Sequence, residues 1–223
     1  MDYDAIMFDL DGTLADTLAD LAAAGNHTLT TFGHAALPVE RYRYLVGQGL
    51  DHLIRHAFGP EHEAQWEAAA ATFFTYYSEH KYDQTGPYAG IPELLDTLTE
   101  RDLKLAVLSN KPDPATQDMV ATLFNQWSWD AVAGAKPGVP LKPEAGAALA
   151  IADELGIAPQ RWVYVGDTKV DMLTGKSAGM YTVGVTWGFR DEAELREHGA
   201  DAIIHHPSQL LAVIDQTSVE GSA

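Results

Sequence analysis

The sequence predicts an α/β protein: a doubly wound, mostly parallel sheet in a Rossmann-like core, with an all-helical cap domain inserted after the first strand. Short apolar segments that end in acidic or hydroxyl residues alternate with helical patterns from residue 90 onward. Such alternation is typical of a parallel sheet whose two faces are covered by helices. Residues 16–85 interrupt the alternation, because they carry helical patterns alone.

The predicted core strands are apolar runs of the kind that is buried on both faces. The clearest strands are predicted at 5–10, 103–109, 162–166 and 181–185, and weaker ones at 130–133 and 202–204. Helical patterns lie between them at 91–101, 114–125, 144–155, 170–178, 192–198 and 208–214. A chain of 223 residues is long enough for one such core with a smaller insertion.

The interruption reads as a domain of its own. Its helical patterns are at 18–32, 39–46, 50–58 and 63–81. We therefore expect residues 16–85 to form a cap domain, and residues 1–15 and 86–223 to form the core domain. Linkers near Asp16 and near Gly86-Pro87 would join the two.

Composition excludes several classes of function. The formal net charge is −18, and no cluster of Lys and Arg offers the counter-charge that nucleic acid requires. No apolar stretch is long enough to span a bilayer, and the acidic start differs from the basic start of a signal peptide. The chain has no cysteine, which rules out disulfides and thiol catalysis. We expect a cytoplasmic protein, monomeric or homodimeric, without a nucleic-acid or membrane partner.

The first candidate site is the segment Asp9-Leu10-Asp11-Gly12-Thr13. It places two carboxylates two residues apart at the end of the first predicted strand. In open parallel sheets, ligands bind beyond the carboxyl ends of the strands. An ordinary Asp-Gly turn would have the same sequence, so this segment alone leaves both interpretations open.

Three further segments place reactive side chains near the ends of later strands. Asp167 follows one strand and Asp171 comes one helical turn later, Ser109 and Asn110 follow another strand, and Lys142 precedes a helix. Taken singly, each has an ordinary alternative: a helix N-cap with a solvated helix residue, a turn that starts a helix, and a surface lysine.

Together the four segments predict phosphoryl-transfer chemistry. The strand ends of a parallel sheet share one edge, so we expect these side chains to converge there. They would supply carboxylates for a hard cation, a hydroxyl and backbone N–H groups for phosphate oxygens, and the point charge of a lysine.

In these four segments the chain resembles the haloacid dehalogenase superfamily. The matching residues are Asp9-x-Asp11-Gly12-Thr13, Ser109, Lys142 and Gly166-Asp167-x-x-x-Asp171. The resemblance covers nearly the whole chain and includes a helical cap after the first motif. Within the superfamily the chain is most similar to phosphoglycolate phosphatases, in segments 45–49, 88–95, 109–112 and 199–204.

The resemblance implies a Mg²⁺-dependent phosphatase that acts on a small-molecule phosphate ester, most simply 2-phosphoglycolate. Asp9 would be the nucleophile that forms an aspartyl-phosphate, and Asp11 would be the general acid and base. Mg²⁺ would bind the Asp9 carboxylate, the Asp11 backbone carbonyl and Asp167, with Asp171 behind them or acting through water.

The resemblance also implies the groups that hold the transferring phosphate. Ser109 and Lys142 would be catalytic in this sense, because they stabilise the phosphate oxygens during transfer. The implied phosphate-binding residues are Gly12, Thr13, Ser109, Asn110 and Lys142.

The cap is expected to choose the leaving group. Gly47-Gln48-Gly49 would be a flexible loop that faces the site. A substrate carboxylate could meet one of the cap cations, each of which is equally well a solvated helix residue: Arg41, Arg43, His52, Arg55 and His56. Aromatic residues at helical spacing are predicted to form the cap core: Trp66, Phe73, Phe74, Tyr76 and Tyr77.

Two alternatives remain open at this point. The same chemistry could act on pyrophosphate, a sugar phosphate or a nucleotide. A different class of protein, a signalling module that is phosphorylated on Asp and binds a partner without turnover, also has acidic strand ends in a doubly wound sheet. Such modules are much shorter, and they lack both the helical insertion and a second Asp two residues after the phosphorylated one.

Overall fold

A computed structural model describes residues 3–220, with side chains described up to residue 215. In chain order the strands are β1 (Ala5–Phe8), β2 (Ala15–Asp16), β3 (Gly86–Pro87), β4 (Lys104–Pro112), β5 (Ala131–Ala135), β6 (Trp162–Gly166), β7 (Tyr181–Val185) and β8 (Ala202–Ile204). The α-helices are α1 (Leu18–Thr31), α2 (Val39–Tyr42), α3 (Leu50–Phe58), α4 (Trp66–His80), α5 (Ile91–Glu100), α6 (Asp113–Leu123), α7 (Gly146–Glu154), α8 (Lys169–Ala178), α9 (Glu192–Glu197) and α10 (Gln209–Glu220). Short 3₁₀ helices occupy Pro60–Gln65 and Pro159–Arg161.

Six strands form one sheet in the order β5-β4-β1-β6-β7-β8, and every neighbouring pair is parallel. The predicted doubly wound parallel sheet is confirmed. After β1 the chain adds β4 and then β5 on one side of it. It then crosses back and adds β6, β7 and β8 on the other side, so the direction in which strands are added reverses at β1. Ligands of such sheets bind at this reversal, beyond the carboxyl ends of the strands.

The sheet is buried on both faces, as its apolar strands require. One hydrophobic cluster joins alternate residues of the strands to α5, α6 and α10, and a second joins the intervening residues to α7. The period of two along each strand divides the side chains between these clusters. In β1, for example, Ile6 and Phe8 belong to the first cluster, and Ala5 and Met7 to the second.

Residues between β2 and β3 form an all-helical insertion that contains α1 to α4. It has its own hydrophobic cluster, built around Leu29, Tyr42, Leu53 and Phe73. Phe189 also belongs to this cluster, although it lies in the loop that follows β7 along the chain. The insertion therefore packs on the core through a residue that the core supplies.

The two predicted linkers pair with each other, which the sequence did not predict. Ala15 lies opposite Pro87 and Asp16 opposite Gly86 in a two-stranded antiparallel sheet. Strands of two residues are too short to leave a hydrophobic period, so only the tertiary structure reveals them. Buried Asp20 strengthens the junction, because its carboxylate accepts hydrogen bonds from the Gln84 N–H, the Thr85 N–H and the Thr85 hydroxyl.

Within the part of the chain that the structure describes, no helix combines the length and the apolar character that crossing a membrane would require.

Candidate active site

Three buried aspartates converge where the strand order of the sheet reverses. Asp9 directly follows β1, Asp167 directly follows β6, and Asp171 lies in the first turn of α8. One carboxylate oxygen from each residue lies within 4.8 Å of those from the other two. The structure thus brings together the two aspartates that the sequence placed at strand ends and the one that it placed a helical turn later, and we refer to Asp9, Asp167 and Asp171 as the aspartate cluster.

The ammonium group of Lys142 is inserted into this cluster. Its Nζ lies 2.8 Å from Oδ1 of Asp9 and 2.8 Å from Oδ1 of Asp171, and it donates to the carbonyl of Leu108 at 3.0 Å. The side chain of Asn110 fixes the backbone of Lys142, since it accepts from the Lys142 N–H at 2.9 Å and donates to its carbonyl at 3.0 Å. Lys142 is therefore not a surface lysine, and Asn110 helps to position it.

The carboxylates of Asp167 and Asp171 also accept hydrogen bonds from uncharged N–H and hydroxyl groups. Asp167 accepts from the Phe189 N–H at 2.7 Å and from the Thr13 hydroxyl at 3.1 Å. Asp171 accepts from the N–H and the hydroxyl of Thr168, at 3.0 and 2.8 Å. Thr168 is the N-cap of α8 and forms a capping box with Asp171, so the alternative that Asp167 caps this helix is wrong.

Glycine is required at position 12 by this packing. Gly12 has a φ of +90°, and a Cβ at this position would lie 2.3 Å from a carboxylate oxygen of Asp167. Any larger residue would therefore meet both backbone strain and a clash with the cluster. The Asp-Gly sequence after β1 serves a turn and the site at once.

The cluster is short of positive charge. Burial raises the pKa of Asp9 to about 7, with a further contribution from the Asp171 carboxylate and opposition from Lys142. Burial also raises the pKa of Asp167 well above its usual range, and Asp171 and Asp9 add to that rise. Burial alone would lower the pKa of Lys142, but the charges of Asp171 and Asp9 outweigh it and raise that pKa.

The donor set of the cluster fits a divalent cation. Three carboxylates and one ammonium leave two negative charges in a buried place, which a divalent cation would balance. Oxygen-only ligands favour hard ions such as Mg²⁺, Ca²⁺ or Mn²⁺ over zinc or copper. Among the residues that the structure describes, no second group of three metal-ligating side chains comes this close together.

Asp11 lies outside the cluster, in different surroundings. Its two carboxylate oxygens accept from Nζ of Lys111 at 3.0 and 3.1 Å, and Lys111 also donates to the hydroxyl of Tyr77 at 2.9 Å. Lys111 belongs to β4 and Tyr77 to α4, so this contact joins the core to the insertion. Sequence reasoning overlooked Lys111 as a functional residue, although it follows Ser109-Asn110 directly.

Of the predicted phosphate-binding groups, Ser109 faces the pocket, whereas the donors of Gly12 and Thr13 already have partners within the protein. Ser109 is buried beside the site, and its Oγ accepts from the Lys111 N–H at 3.2 Å. The N–H of Gly12 donates to the Ala15 carbonyl at 2.9 Å, and the Thr13 hydroxyl donates to Asp167. Those two donors are already used to close the turn and to hold the cluster, so neither is free for a phosphate oxygen in this arrangement.

A pocket opens from Asp9 and Asp11 toward the insertion. Its wall on that side is apolar, and the lining residues from the insertion are Leu21, Val46, Gly47, Gly49, Leu50, Leu53, Phe73, Phe74 and Tyr77. The prediction that Phe73, Phe74 and Tyr77 are cap core is wrong for Phe74, which is half exposed and lies outside the hydrophobic cluster of the insertion. Phe73 and Tyr77 do belong to the cluster of the insertion, but all three also face the pocket.

Four of the five cap cations named from the sequence have partners outside the pocket, and the fifth, Arg41, is exposed. Arg43 donates to the carbonyls of Phe189 and Gly188, and Arg55 pairs with Asp51 on its own helix. His52 contacts the Leu45 carbonyl. None of them lines the pocket, and neither does Gln48, whereas Gly47 and Gly49 do; these statements cover the described residues.

Comparison with known proteins places this geometry in context. Residues 6–185 match the family model described as haloacid dehalogenase-like hydrolase. The chain is 30% identical over 223 residues to phosphoglycolate phosphatase 1 of Pseudomonas aeruginosa, an alignment that covers 96% of this chain and 80% of that protein.

Two further similarities extend over nearly the full length. The chain is 30% identical over 214 residues to the N-acetylmuramic acid 6-phosphate phosphatase of Pseudomonas aeruginosa, with 95% of each chain covered. The solved structure of a haloacid dehalogenase-like family hydrolase from Streptococcus pneumoniae has a TM-score of 0.87 and 27% identity to this chain, and covers 95% of it and 98% of that chain.

Proposed function

We propose that this chain, which belongs to the haloacid dehalogenase-like hydrolase family and is a phosphoric monoester hydrolase, converts 2-phosphoglycolate to glycolate and phosphate with Mg²⁺ as its metal. The observation that carries the proposal is the position of Asp9. Its carboxylate contacts Lys142, belongs to the aspartate cluster, and lines a pocket whose other wall the insertion supplies.

Asp9 is the nucleophile in this proposal. Its carboxylate oxygen forms a bond to phosphorus while the bond from phosphorus to the ester oxygen breaks, which leaves an aspartyl-phosphate. Asp11 gives its proton to the departing oxygen. In the second step Asp11 takes a proton from water, and the oxygen of that water attacks phosphorus and releases Asp9.

The remaining residues of the site position the transferring phosphate and balance its negative charge. Lys142 supplies positive charge beside the transferring phosphate, and Ser109 lies where it can donate to a phosphate oxygen. Mg²⁺, held by the carboxylates of Asp9 and Asp167 and by the backbone carbonyl of Asp11, would supply further positive charge for the phosphate oxygens. Asp171 fixes Lys142 from the other side and lies close enough to the cluster to contact the metal directly or through water.

We also propose that residues 16–85 act as a cap domain that closes over the site and excludes water during phosphoryl transfer. Its separate hydrophobic cluster and the paired linkers β2 and β3 support this division. A part that closes as one body needs its own core and a narrow connection to the rest, and the insertion has both.

A sugar phosphate is the second candidate substrate, because the relative named N-acetylmuramic acid 6-phosphate phosphatase is as similar to this chain as the phosphoglycolate phosphatase. The signalling-module alternative is disfavoured. Its phosphorylated state must persist, whereas Asp11 lies two residues after Asp9 and provides a base for rapid hydrolysis.

The test is phosphate release from a panel of esters at fixed Mg²⁺. The panel contains 2-phosphoglycolate, pyrophosphate, a hexose 6-phosphate, N-acetylmuramic acid 6-phosphate and a nucleoside monophosphate. We expect the highest kcat/KM for 2-phosphoglycolate, and loss of activity in excess chelator and in Asp9→Asn. Full activity in chelator, or an active Asp9→Asn enzyme, would contradict the mechanism, and a higher kcat/KM for another ester would contradict the substrate.

A further inference from the structure

Lys111 is a buried cation that connects the two parts of the molecule. It lies in the last part of β4, its side chain is 5% exposed, and its Nζ contacts Asp11 from the core and Tyr77 from the insertion. The carboxylate of Asp11, 3.0 Å away, is the counter-charge of this buried ammonium. A buried ammonium that serves only packing would be a costly choice, since an apolar residue of similar length would fill the same space.

Lys111 is also the one basic side chain among the described residues that lines the pocket. The wall that the insertion supplies is apolar, and none of the cationic side chains of residues 16–85 lines the pocket. Lys142 lies deeper, on Asp9 and Asp171, where it meets the transferring phosphate. An anionic group on the leaving part of a substrate would therefore find its counter-charge at Lys111.

The distance between Lys111 and Asp11 limits how far from the ester oxygen an anionic group on the leaving group can lie. In the proposed function Asp11 contacts the ester oxygen, and Lys111 Nζ lies 3.0 Å from Asp11. An anionic group at Lys111 must consequently lie very near the ester oxygen. A carboxylate one carbon away satisfies this condition, whereas the carboxylate of an N-acetylmuramic acid lies across the sugar ring from its 6-phosphate.

We propose that Lys111, oriented by the Tyr77 hydroxyl, determines specificity by binding a carboxylate one carbon from the ester oxygen, and that it exchanges Asp11 for this carboxylate when substrate binds. The inference rests on the proposed function. In the exchange Lys111 keeps a carboxylate partner, so a buried charge is never left unpaired. Asp11 is then free to face the ester oxygen. A neutral leaving group has no carboxylate that could replace Asp11 as the partner of Lys111.

The test compares two esters of similar size, 2-phosphoglycolate and ethyl phosphate, which lacks the carboxylate. We expect the wild-type enzyme to prefer 2-phosphoglycolate. Lys111→Met keeps the length of the side chain but removes its charge, and it should lower kcat/KM for 2-phosphoglycolate about 10- to 100-fold, the usual effect of losing a hydrogen bond to a charged group. Ethyl phosphate should be affected far less, and the preference should largely disappear.

Three variants separate recognition from damage to the fold. Lys136→Met removes a half-exposed lysine that pairs with Asp113 outside the pocket, and it should leave the preference as it is. Lys111→Arg should recover part of the preference. Tyr77→Phe keeps the ring but loses the hydroxyl that orients Lys111, and it should raise KM for 2-phosphoglycolate several-fold more than KM for ethyl phosphate.

Equal losses of Lys111→Met on both esters, or a wild-type enzyme that hydrolyses both equally well, would overturn this inference and leave the proposed chemistry standing. If Lys111→Met does not fold, an unchanged preference in Tyr77→Phe would overturn it instead. A wild-type enzyme that hydrolyses neither ester, nor any other in the panel, would overturn the proposed function and this inference together.

Discussion

Asp9 and Asp11 are two residues apart, yet their surroundings differ. Asp9 is buried with two further carboxylates and receives one hydrogen bond from Lys142. Asp11 lies outside that cluster, on the pocket side, against Lys111 and Tyr77. Pairs of acids in unlike environments commonly take different catalytic roles, and the role that needs proton exchange falls to the one that contacts the leaving group. This favours Asp9 as nucleophile and Asp11 as acid and base.

The two roles can be separated with Asp11→Asn and two substrates. An alkyl phosphate such as 2-phosphoglycolate expels a strongly basic oxygen and needs the proton, so the rate should fall about 10²- to 10⁴-fold. Nitrophenolate leaves without protonation, so the variant should still transfer phosphate from nitrophenyl phosphate to Asp9. Hydrolysis of the aspartyl-phosphate should then be slow, which predicts a burst of nitrophenol in rapid-quench kinetics.

Mass spectrometry of the quenched enzyme locates the phosphate. We expect it on Asp9 in the Asp11→Asn variant and nowhere in Asp9→Asn, which serves as the control. A steady release without a burst, or phosphate mapped to any other residue, would show that the roles of the two acids are assigned wrongly.

At the scale of elements, the strand ends were the predictable part of the site. The bounds predicted for β6, β7 and β8 are those observed. The other three core strands differ at their ends: β1 is two residues shorter than predicted, β4 begins one residue later and ends three residues later, and β5 begins one residue later and ends two residues later. Parallel strands share one edge, so the approach of Asp9, Asp167 and Asp171 followed from the sequence pattern.

What the sequence could not predict depends on contacts between elements. Lys111 precedes a proline in a segment that reads as a turn, and its role appears only when α4 brings Tyr77 against it. Phe189 shares a five-residue loop with Trp187, yet Trp187 packs against the core and Phe189 against the insertion, and so short a loop has no period that would assign either. The pairing of β2 with β3 involves only four residues and leaves no pattern at all.

The loop 186–190 is the element that links the insertion to the aspartate cluster. The Phe189 N–H donates to Asp167, its ring is buried in the hydrophobic cluster of the insertion, and Arg43 donates to its carbonyl at 3.0 Å. Arg43 also donates to the carbonyl of Gly188. The position of the insertion is thereby coupled to the orientation of a carboxylate that is proposed to bind the metal.

Arg43→Met should therefore weaken the binding of Mg²⁺. Losing a direct partner of a metal ligand commonly costs about 10- to 100-fold in affinity. Arg43 acts one step further out, through the loop that holds Asp167, so we expect the lower end of that range, about tenfold or less. The measurement is the Mg²⁺ concentration that gives half the maximal thermal stabilisation, which does not depend on turnover. Arg41→Met is the matched control, because Arg41 is exposed two residues away. Equal Mg²⁺ affinities of the two variants would contradict the proposed coupling.

At the scale of the whole molecule, the negative charge is unevenly placed. Most of the net charge of −18 belongs to exposed residues, where water screens it, but the aspartate cluster keeps three carboxylates out of water. Folding without a cation must therefore bring like charges together in a buried place, or protonate some of them. The stability of the protein should consequently depend on pH and on the metal in a linked way.

The last prediction concerns this linkage between pH, Mg²⁺ and unfolding. In the metal-free folded protein the pKa of Asp9 is raised from 3.8 to about 7, and that of Asp167 is also raised. A raised carboxyl pKa contributes stability that is complete below about pH 4 and is lost as pH rises through about 7, because the folded state binds the proton more tightly than the unfolded chain. Without metal, Tm should fall as pH rises from 5 to 8.

Mg²⁺ should reverse that loss, because it replaces the protons as the positive charge of the cluster and binds best when the carboxylates are ionised. The gain in Tm on adding Mg²⁺ should therefore be small at pH 5 and larger at pH 8, which scanning fluorimetry with Mg²⁺ or chelator measures directly. Asp9→Asn separates the contribution of the cluster from that of the other acidic residues, because it removes one titrating carboxyl and one metal ligand. In this variant both the fall of Tm with pH in chelator and the rise with pH of the gain from Mg²⁺ should be smaller. A gain from Mg²⁺ that is equal at pH 5 and pH 8 in the wild-type protein would show that the cluster is not where the cation binds.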